Sequence, residues 1–263
     1  MKTKISLSEC HEVLLNIAQA FHKVCVDHNI PYYMLGGTQL GAVRHKGMIP
    51  WDDDMDFGVP REYYETLKHI LSTELKEPYN VISMENTPKY YAGYIKIEDS
   101  RTITDSNVEY DIYRYGINID IFPLDKTNGR TGVFSKNNMI CQLYKVENYR
   151  FLNVNGGSRL KVAISKALKI CLPSLNKHTI YNLIENRLLT DKGEYLANYY
   201  GAWGLREIVD ASYFGTPTLY DFDTMQFYGV ENPDAYLTSL YGNYMQLPPE
   251  SQRHTHMCNA YYK

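Results

Sequence analysis

Apolar residues recur at Leu14, Ile17, Ala18, Phe21, Val24 and Cys25, the spacing of one face of a helix. Ser6-x-x-Glu9 precedes them as a capping box, so a helix is expected from about Ser8 to His28, closed by Asn29 and Pro31. The short apolar run Tyr32–Leu35 reads as a strand. Thr38 to His45 reads as a short helix with Thr38 as its N-cap, and Asp54 to Val59 as the next strand. Pro60 suits the first turn of a helix striped by Tyr64, Leu67, Ile70 and Leu71. Further strands are expected near Asn80–Met84 and Tyr91–Ile97. The clearest is Gly116–Phe122, where Ile117, Ile119 and Ile121 alternate with Asn118 and Asp120.

This alternation implies an α+β fold of α/β-like character, a mixed β-sheet core flanked by helices. The turn-rich Lys126–Gly132 marks a boundary, which divides the chain into 1–130, the expected catalytic core, and 131–263. The second part reads as largely helical, with helices expected at Lys136–Phe151, Arg159–Leu172 and His178–Leu189 and a loop-rich, aromatic tail from Ala202. It is expected to pack on the core and complete the substrate site.

Composition narrows the function classes. A net charge of −3 over 263 residues provides no basic field for nucleic acid. Cys10, Cys25, Cys141, Cys171 and Cys258 lie far apart, without a C-x-x-C pair, so neither a zinc site nor a disulfide framework is expected. No segment has the length and apolarity of a membrane span, and a cytoplasmic location is expected. Arg159–Leu172 is a basic amphipathic pattern that suits peripheral contact with the inner face of a membrane, although packing on its own domain is the plainer reading. The 25 tyrosines suit a carbohydrate surface or simple compositional bias. His254 and His256 carry metal-capable rings but have no second ligand cluster beside them, and Trp51 and Trp203 suit stacking on a base or core packing.

The chemistry concentrates in "PWDDDMDFGVPRE", Pro50–Glu62. On a strand, Asp54 and Asp56 would face one side about 6.5–7 Å apart, with Asp52 a candidate third member; Asp53 would point elsewhere into solvent. Carboxylates crowded on one face repel each other, and Mg²⁺ relieves that repulsion with hard-oxygen coordination shared with phosphates and water. Upstream, Gly36, Gly37 and Thr38 form a glycine turn before a helix start, which suits phosphate, and Arg44, His45 and Lys46 form a short basic cluster. Asp120, opposite the three isoleucines, is a candidate third acid, either for the metal or as acceptor of a hydroxyl proton.

These blocks resemble the LicD family. The match runs from Gly36-Gly37-Thr38 through Leu40–Gly47 to Ile49–Asp56 and "PREYYE". It continues in "KIEDSRT" (Lys96–Thr102), "NIDIFPLD" (Asn118–Asp125) and "YGNYMQLPP" (Tyr241–Pro249). Fukutin and fukutin-related protein are distant relatives of that family. The resemblance implies a nucleotidyltransferase-type fold and transfer of a substituted phosphate from a CDP-linked donor to a sugar hydroxyl of a cell-surface glycan, free or lipid-linked, with release of CMP. It implies Mg²⁺ as cofactor, with Mn²⁺ as a candidate substitute. Asp54 and Asp56 would bind the metal, with Asp120 as further ligand and proton acceptor and Asp52 as an outer candidate. Gly37, Thr38, Arg44, His45, Lys46 and Lys96 would serve the donor phosphates. Asn243 stands where relatives more often carry Asp, which argues against choline as the transferred group. Competing readings are a nucleotidyltransferase moving NMP from an NTP, a D-x-D sugar transferase, and a glycan-binding module without turnover.

Overall fold

The computed structural model describes residues 3–87, 90, 92–105, 109–110, 115–153, 167, 181–253, 255 and 259–263. The strands described are β1 (Lys4–Ile5), β2 (Tyr33–Met34), β3 (Asp56–Pro60), β4 (Tyr79–Ile82), β5 (Ile95–Asp99), β6 (Thr102–Asp105), β7 (Glu109–Tyr110), β8 (Asn118–Thr127), β9 (Leu152–Asn153), β10 (Tyr195–Ala197), β11 (Ile208–Asp210), β12 (Thr218–Phe222), β13 (Met225–Gly229) and β14 (Asn259–Tyr262). The helices are α1 (Leu7–Asp27), α2 (Gly36–Arg44), α3 (Arg61–Glu74), α4 (Lys136–Phe151), α5 (Ala211–Phe214) and α6 (Pro233–Tyr241). The fold is α+β.

Helix α1 starts as its sequence demands. The Ser6 hydroxyl accepts from the Glu9 N–H, and the Glu9 carboxylate accepts from the Ser6 N–H at 2.7 Å, so both halves of the capping box form. Its stripe from Cys10 to Cys25 is buried against one face of the main sheet, beside Phe57, Val59, Ile117, Ile119 and Ile121. A second core lies around Tyr33, Leu35, Phe122 and Leu124, with Leu196, Val209, Phe214, Tyr236 and Leu240. The period-2 alternation of β8 therefore feeds two apolar layers.

The central strand is β8. β3 lies beside it in parallel, and β2 pairs antiparallel with β3. On its other side β5 pairs with the first half of β8 and β10 with the second half. Where β5 leaves off, Tyr64 of α3 bridges the gap: its buried hydroxyl donates to the Ile121 carbonyl at 2.7 Å and accepts from the Ile95 N–H at 2.8 Å. Strands β10 and β11, from beyond residue 131, thus belong to the same sheet as β3. The ends of the chain meet in a smaller sheet, where β14 lies between β1 and β6.

Several expectations shift in detail. The helix expected at Lys136–Phe151 forms over those residues. Of the one expected at His178–Leu189, residues 181–188 are described and are helical, ending in a π-turn at Ile184–Leu188. The helix expected at Arg159–Leu172, and His254 and His256, lie outside the described residues, apart from helical Ala167. The tail beyond Ala202 is more ordered than its loop-rich sequence suggests: it holds β11, the β12–β13 hairpin and α6, because Phe222, Phe227, Tyr236 and Leu240 bury their side chains. Among the described residues no helix is long and apolar enough to cross a membrane.

Candidate active site

Sheet register builds the site. Asp56 is the first residue of β3 and stands opposite Asp120 of β8, which stands opposite Lys96 of β5. Directly paired residues present their side chains to the same face, with neighbouring strands about 4.8 Å apart. The three side chains therefore form a row: carboxylate, carboxylate, ammonium. Lys96 Nζ pairs with the Asp120 carboxylate, donates to Asn118 Oδ1 at 3.1 Å, and lies over the rings of Tyr94 and Tyr115 at 5.3 and 5.7 Å. The ammonium assigned to donor phosphate is thus engaged with the acid beside it.

The glycine turn closes over this row. Gly36 adopts φ +47°, a conformation that lets the chain enter α2 immediately after Leu35. Helix α2 accordingly begins at Gly36 with Leu35 as N-cap, and Thr38 is not the cap expected of it. The Thr38 hydroxyl instead accepts from the Asp56 N–H at 2.8 Å and pins the start of β3. The Gly36 N–H donates to the Tyr236 hydroxyl at 3.1 Å. A Cβ on Gly36 would lie 3.8 Å from Asp56 Oδ2 and 3.4 Å from the Tyr241 hydroxyl; one on Gly37 would lie 2.9 Å from Asp52 Oδ2. Asp52 therefore faces the turn, and its carbonyl accepts from His11 Nε2–H at 2.7 Å.

The acidic run departs from simple alternation. β3 starts only at Asp56, because β2, its partner on one side, ends at Met34 and the chain then turns into α2. Asp54 lies before the strand and is exposed. Asp53, expected to be solvated, is 4% exposed. It turns inward toward a cavity of about 180 Å³ that it lines with Lys4, Ser6, Cys10 and Asn259, where burial and the charges of Asp53 and Asp54 push the Cys10 thiol up to about 12.

Electrostatics mark this region as strained by charge. Burial, then the charge of Asp54, then that of Asp120 hold the Asp56 carboxyl well above the usual carboxylate range, and Lys96 only partly opposes them. Burial raises Asp120 as well, against the opposing pull of Lys96. A hard cation would lower both. The donors are all oxygen, and Mg²⁺ takes one or two protein carboxylates and completes its shell with phosphate and water. The chemistry of the donor set fits, although among the described residues no three acid, histidine or cysteine groups already enclose a metal position.

The remaining expected residues lie along α2. Arg44 is in its last turn and donates to the Tyr244 carbonyl at 2.7 Å. The His45 ring meets Trp51 edge-on at 5.9 Å, and burial followed by the charge of Arg44 lowers its pKa. Lys46 is exposed at the following turn, with its carbonyl accepting from the Asp223 N–H at 2.7 Å. Three contributors were not singled out in the sequence. Tyr236 and Tyr241 reach the turn from α6; Tyr241 lies within "YGNYMQLPP", so the signal was present without a role attached. Glu207 is a buried acid whose charge reaches Asp56 and Tyr241; burial pushes it up to about 7, with the Trp203 N–H opposing. Nothing in "WGLREIVD" separates it from an exposed glutamate.

The LicD/FKTN/FKRP nucleotidyltransferase domain family matches residues 29–151, the span that holds every acid of this row. The chain is also 32% identical to the lipopolysaccharide cholinephosphotransferase LicD of Haemophilus influenzae over 98% of both proteins. The chain belongs to the LicD family of phosphotransferases. Shorter matches, 43% identical over 58 residues and 45% over 49, tie it to uncharacterized proteins of Rickettsia prowazekii and Rickettsia typhi; they cover 22% and 19% of the chain and 22% and 16% of those proteins. Toward the C-terminus the Tyr241 hydroxyl lies beside Gly36 and the Tyr244 carbonyl accepts from Arg44, and Asn243 between them is exposed, its amide donating to Gln246 Oε1 at 3.4 Å.

Proposed function

We propose that this protein transfers a substituted phosphate from a CDP-linked donor to a sugar hydroxyl of a glycan and releases CMP. The observation that carries the reading is the row Asp56–Asp120–Lys96 beneath the Gly36–Gly37 turn. The relative's printed activity, phosphocholine transfer to lipopolysaccharide, supports the reaction class, and phosphocholine is the first group to test. The acceptor oxygen forms a bond to the donor's outer phosphorus as the bond from that phosphorus to the bridging oxygen breaks. The electron pair leaves with CMP. Asp120 takes the hydroxyl proton: burial raises its pKa, which makes its carboxylate a stronger base than an exposed aspartate, and the paired Lys96 ammonium pulls the other way and favours its charged form. Asp54 and Asp56, with Asp52 facing the turn, would hold Mg²⁺, whose contribution is neutralisation of the diphosphate. Backbone at Gly37 and the first turn of α2 offers N–H groups to the transferring phosphate.

Product analysis tests this directly. The purified protein is incubated with Mg²⁺, a glycan acceptor, and labelled CDP-choline, CTP or a nucleotide sugar in parallel. CMP release with label on the glycan supports the proposal. Pyrophosphate from CTP, or a nucleoside diphosphate from the sugar donor, with no turnover of any CDP-alcohol, overturns it.

A further inference from the structure

At the C-terminal end of α2, a chain of contacts runs from Arg44 through His45 and Trp51 to Arg253 and joins two guanidinium groups. Arg44 donates through Nη1 to the Tyr244 carbonyl at 2.7 Å and through Nε to His45 Nδ1 at 3.4 Å. Arg253 donates through Nε to the Pro248 carbonyl at 2.9 Å, and its guanidinium lies 5.0 Å over the Trp51 ring. Both side chains are partly buried. Among the described residues neither forms an ion pair with a carboxylate. Burial lowers the Arg44 pKa, and the charge of Arg253 lowers it further, against Tyr241. Like charges held together at a half-buried position are unfavourable unless an anion joins them. Each arginine has N–H donors left over from these contacts, and the planar fork matches phosphate oxygens.

The location identifies the anion. Trp51 directly precedes Asp52, which faces the Gly37 turn. Tyr241 sits between the two regions, close to Gly36 and within electrostatic reach of both Asp56 and Arg44. The basic pair is therefore linked to the acid row through Trp51, next to Asp52, and through Tyr241, next to Gly36. We propose that Arg44 and Arg253 form a two-pronged clamp for the diphosphate of a nucleotide donor, with Trp51 holding Arg253 in place. This rests on the phosphotransferase reading for its substrate, but not for the existence of an anion site. Arg253 follows the recognised C-terminal block and carries no sequence signal of its own.

The test uses the full-length protein and two probes, CDP and inorganic pyrophosphate, with cytidine as the uncharged control. Calorimetry is expected to show that Arg253→Gln and Arg44→Gln each weaken CDP and pyrophosphate binding about 10- to 100-fold. Arg253→Lys should restore only part of the loss, because charge returns without the fork. Cytidine binding should not change with any of them. Protection of Arg44 and Arg253 from phenylglyoxal by pyrophosphate, mapped by mass spectrometry on the wild type, gives a readout that needs no variant. Pyrophosphate binding that depends on both arginines, without CDP-alcohol turnover, would keep the clamp and reject the donor assignment. Unprotected arginines in a protein that binds CDP, or binding unchanged in both Gln variants, would overturn the clamp.

Discussion

Glu207 gives a quantitative test of the buried charge around the site. Its carboxyl is 7% exposed, packs beside Gly201, and accepts from the Trp203 N–H at a long 3.4 Å. Among the described residues no cation partners it, and burial pushes it from 4.5 up to about 7. The sign follows from linkage. Below about pH 4.5 the group is protonated in both folded and unfolded chains and costs nothing. Between that pH and about 7 the unfolded chain ionises while the folded protein keeps the proton, so stability falls as pH rises. At 1.36 kcal/mol for each tenfold change in proton affinity, the full penalty above pH 8 is about 3 kcal/mol. Glu207→Gln removes the titration while keeping the shape and a hydrogen-bonding amide. Urea unfolding of both proteins from pH 4.5 to 8.5 should therefore show nearly equal stability at the acid end and the variant more stable by about 2–3 kcal/mol at the alkaline end. A difference that stays constant across that range would refute the reasoning.

Two further perturbations test other parts of the structure. Lys96→Met removes the cation that pairs with Asp120 and opposes the charge of Asp56; their carboxyls should rise further, and the variant should lose about 3 kcal/mol at pH 8 but far less at pH 5, read from denaturant midpoints. Tyr64→Phe leaves the Ile121 carbonyl and the Ile95 N–H buried without the hydroxyl that joins them, and should cost about 2–4 kcal/mol, with the amide of Ile95 losing hydrogen-exchange protection. An unprotected Ile95 amide in the wild type would contradict the bridging role.

Local rules made the frame legible. The capping box and stripe of α1, the isoleucine alternation through Ile121, and the helix at Lys136–Phe151 are each written in a few neighbouring residues. The family blocks likewise pointed to Asp56 and Asp120, which sheet register sets side by side, and to Gly37, which lies against Asp52. What escaped was set by partners distant in sequence. Period-2 spacing put Asp54 and Asp56 on one strand, but β3 begins where β2 and β8 allow it to pair, which leaves Asp54 exposed and turns Asp53 inward. A propensity rule made Thr38 a helix cap; the positive φ of Gly36 started the helix earlier and freed the hydroxyl to hold Asp56. The opposition of Lys96 to Asp120 depends on inter-strand register, which no single segment encodes. Glu207 and Arg253 come from irregular segments whose composition gives no sign of burial or pairing.

The proposed chemistry rests on the paired carboxylates of β3 and β8, and Asp56→Asn removes one of them with little change of shape. Asn keeps the side-chain volume and removes a half-buried, repelled charge, so the fold should persist and stability should not fall. CMP release from CDP-choline, or from whichever CDP-alcohol the wild type turns over, should drop at least about 100-fold, in keeping with loss of a group that acts on the transferring phosphate. A natively folded Asp56→Asn protein that releases CMP at close to the wild-type rate would contradict the account.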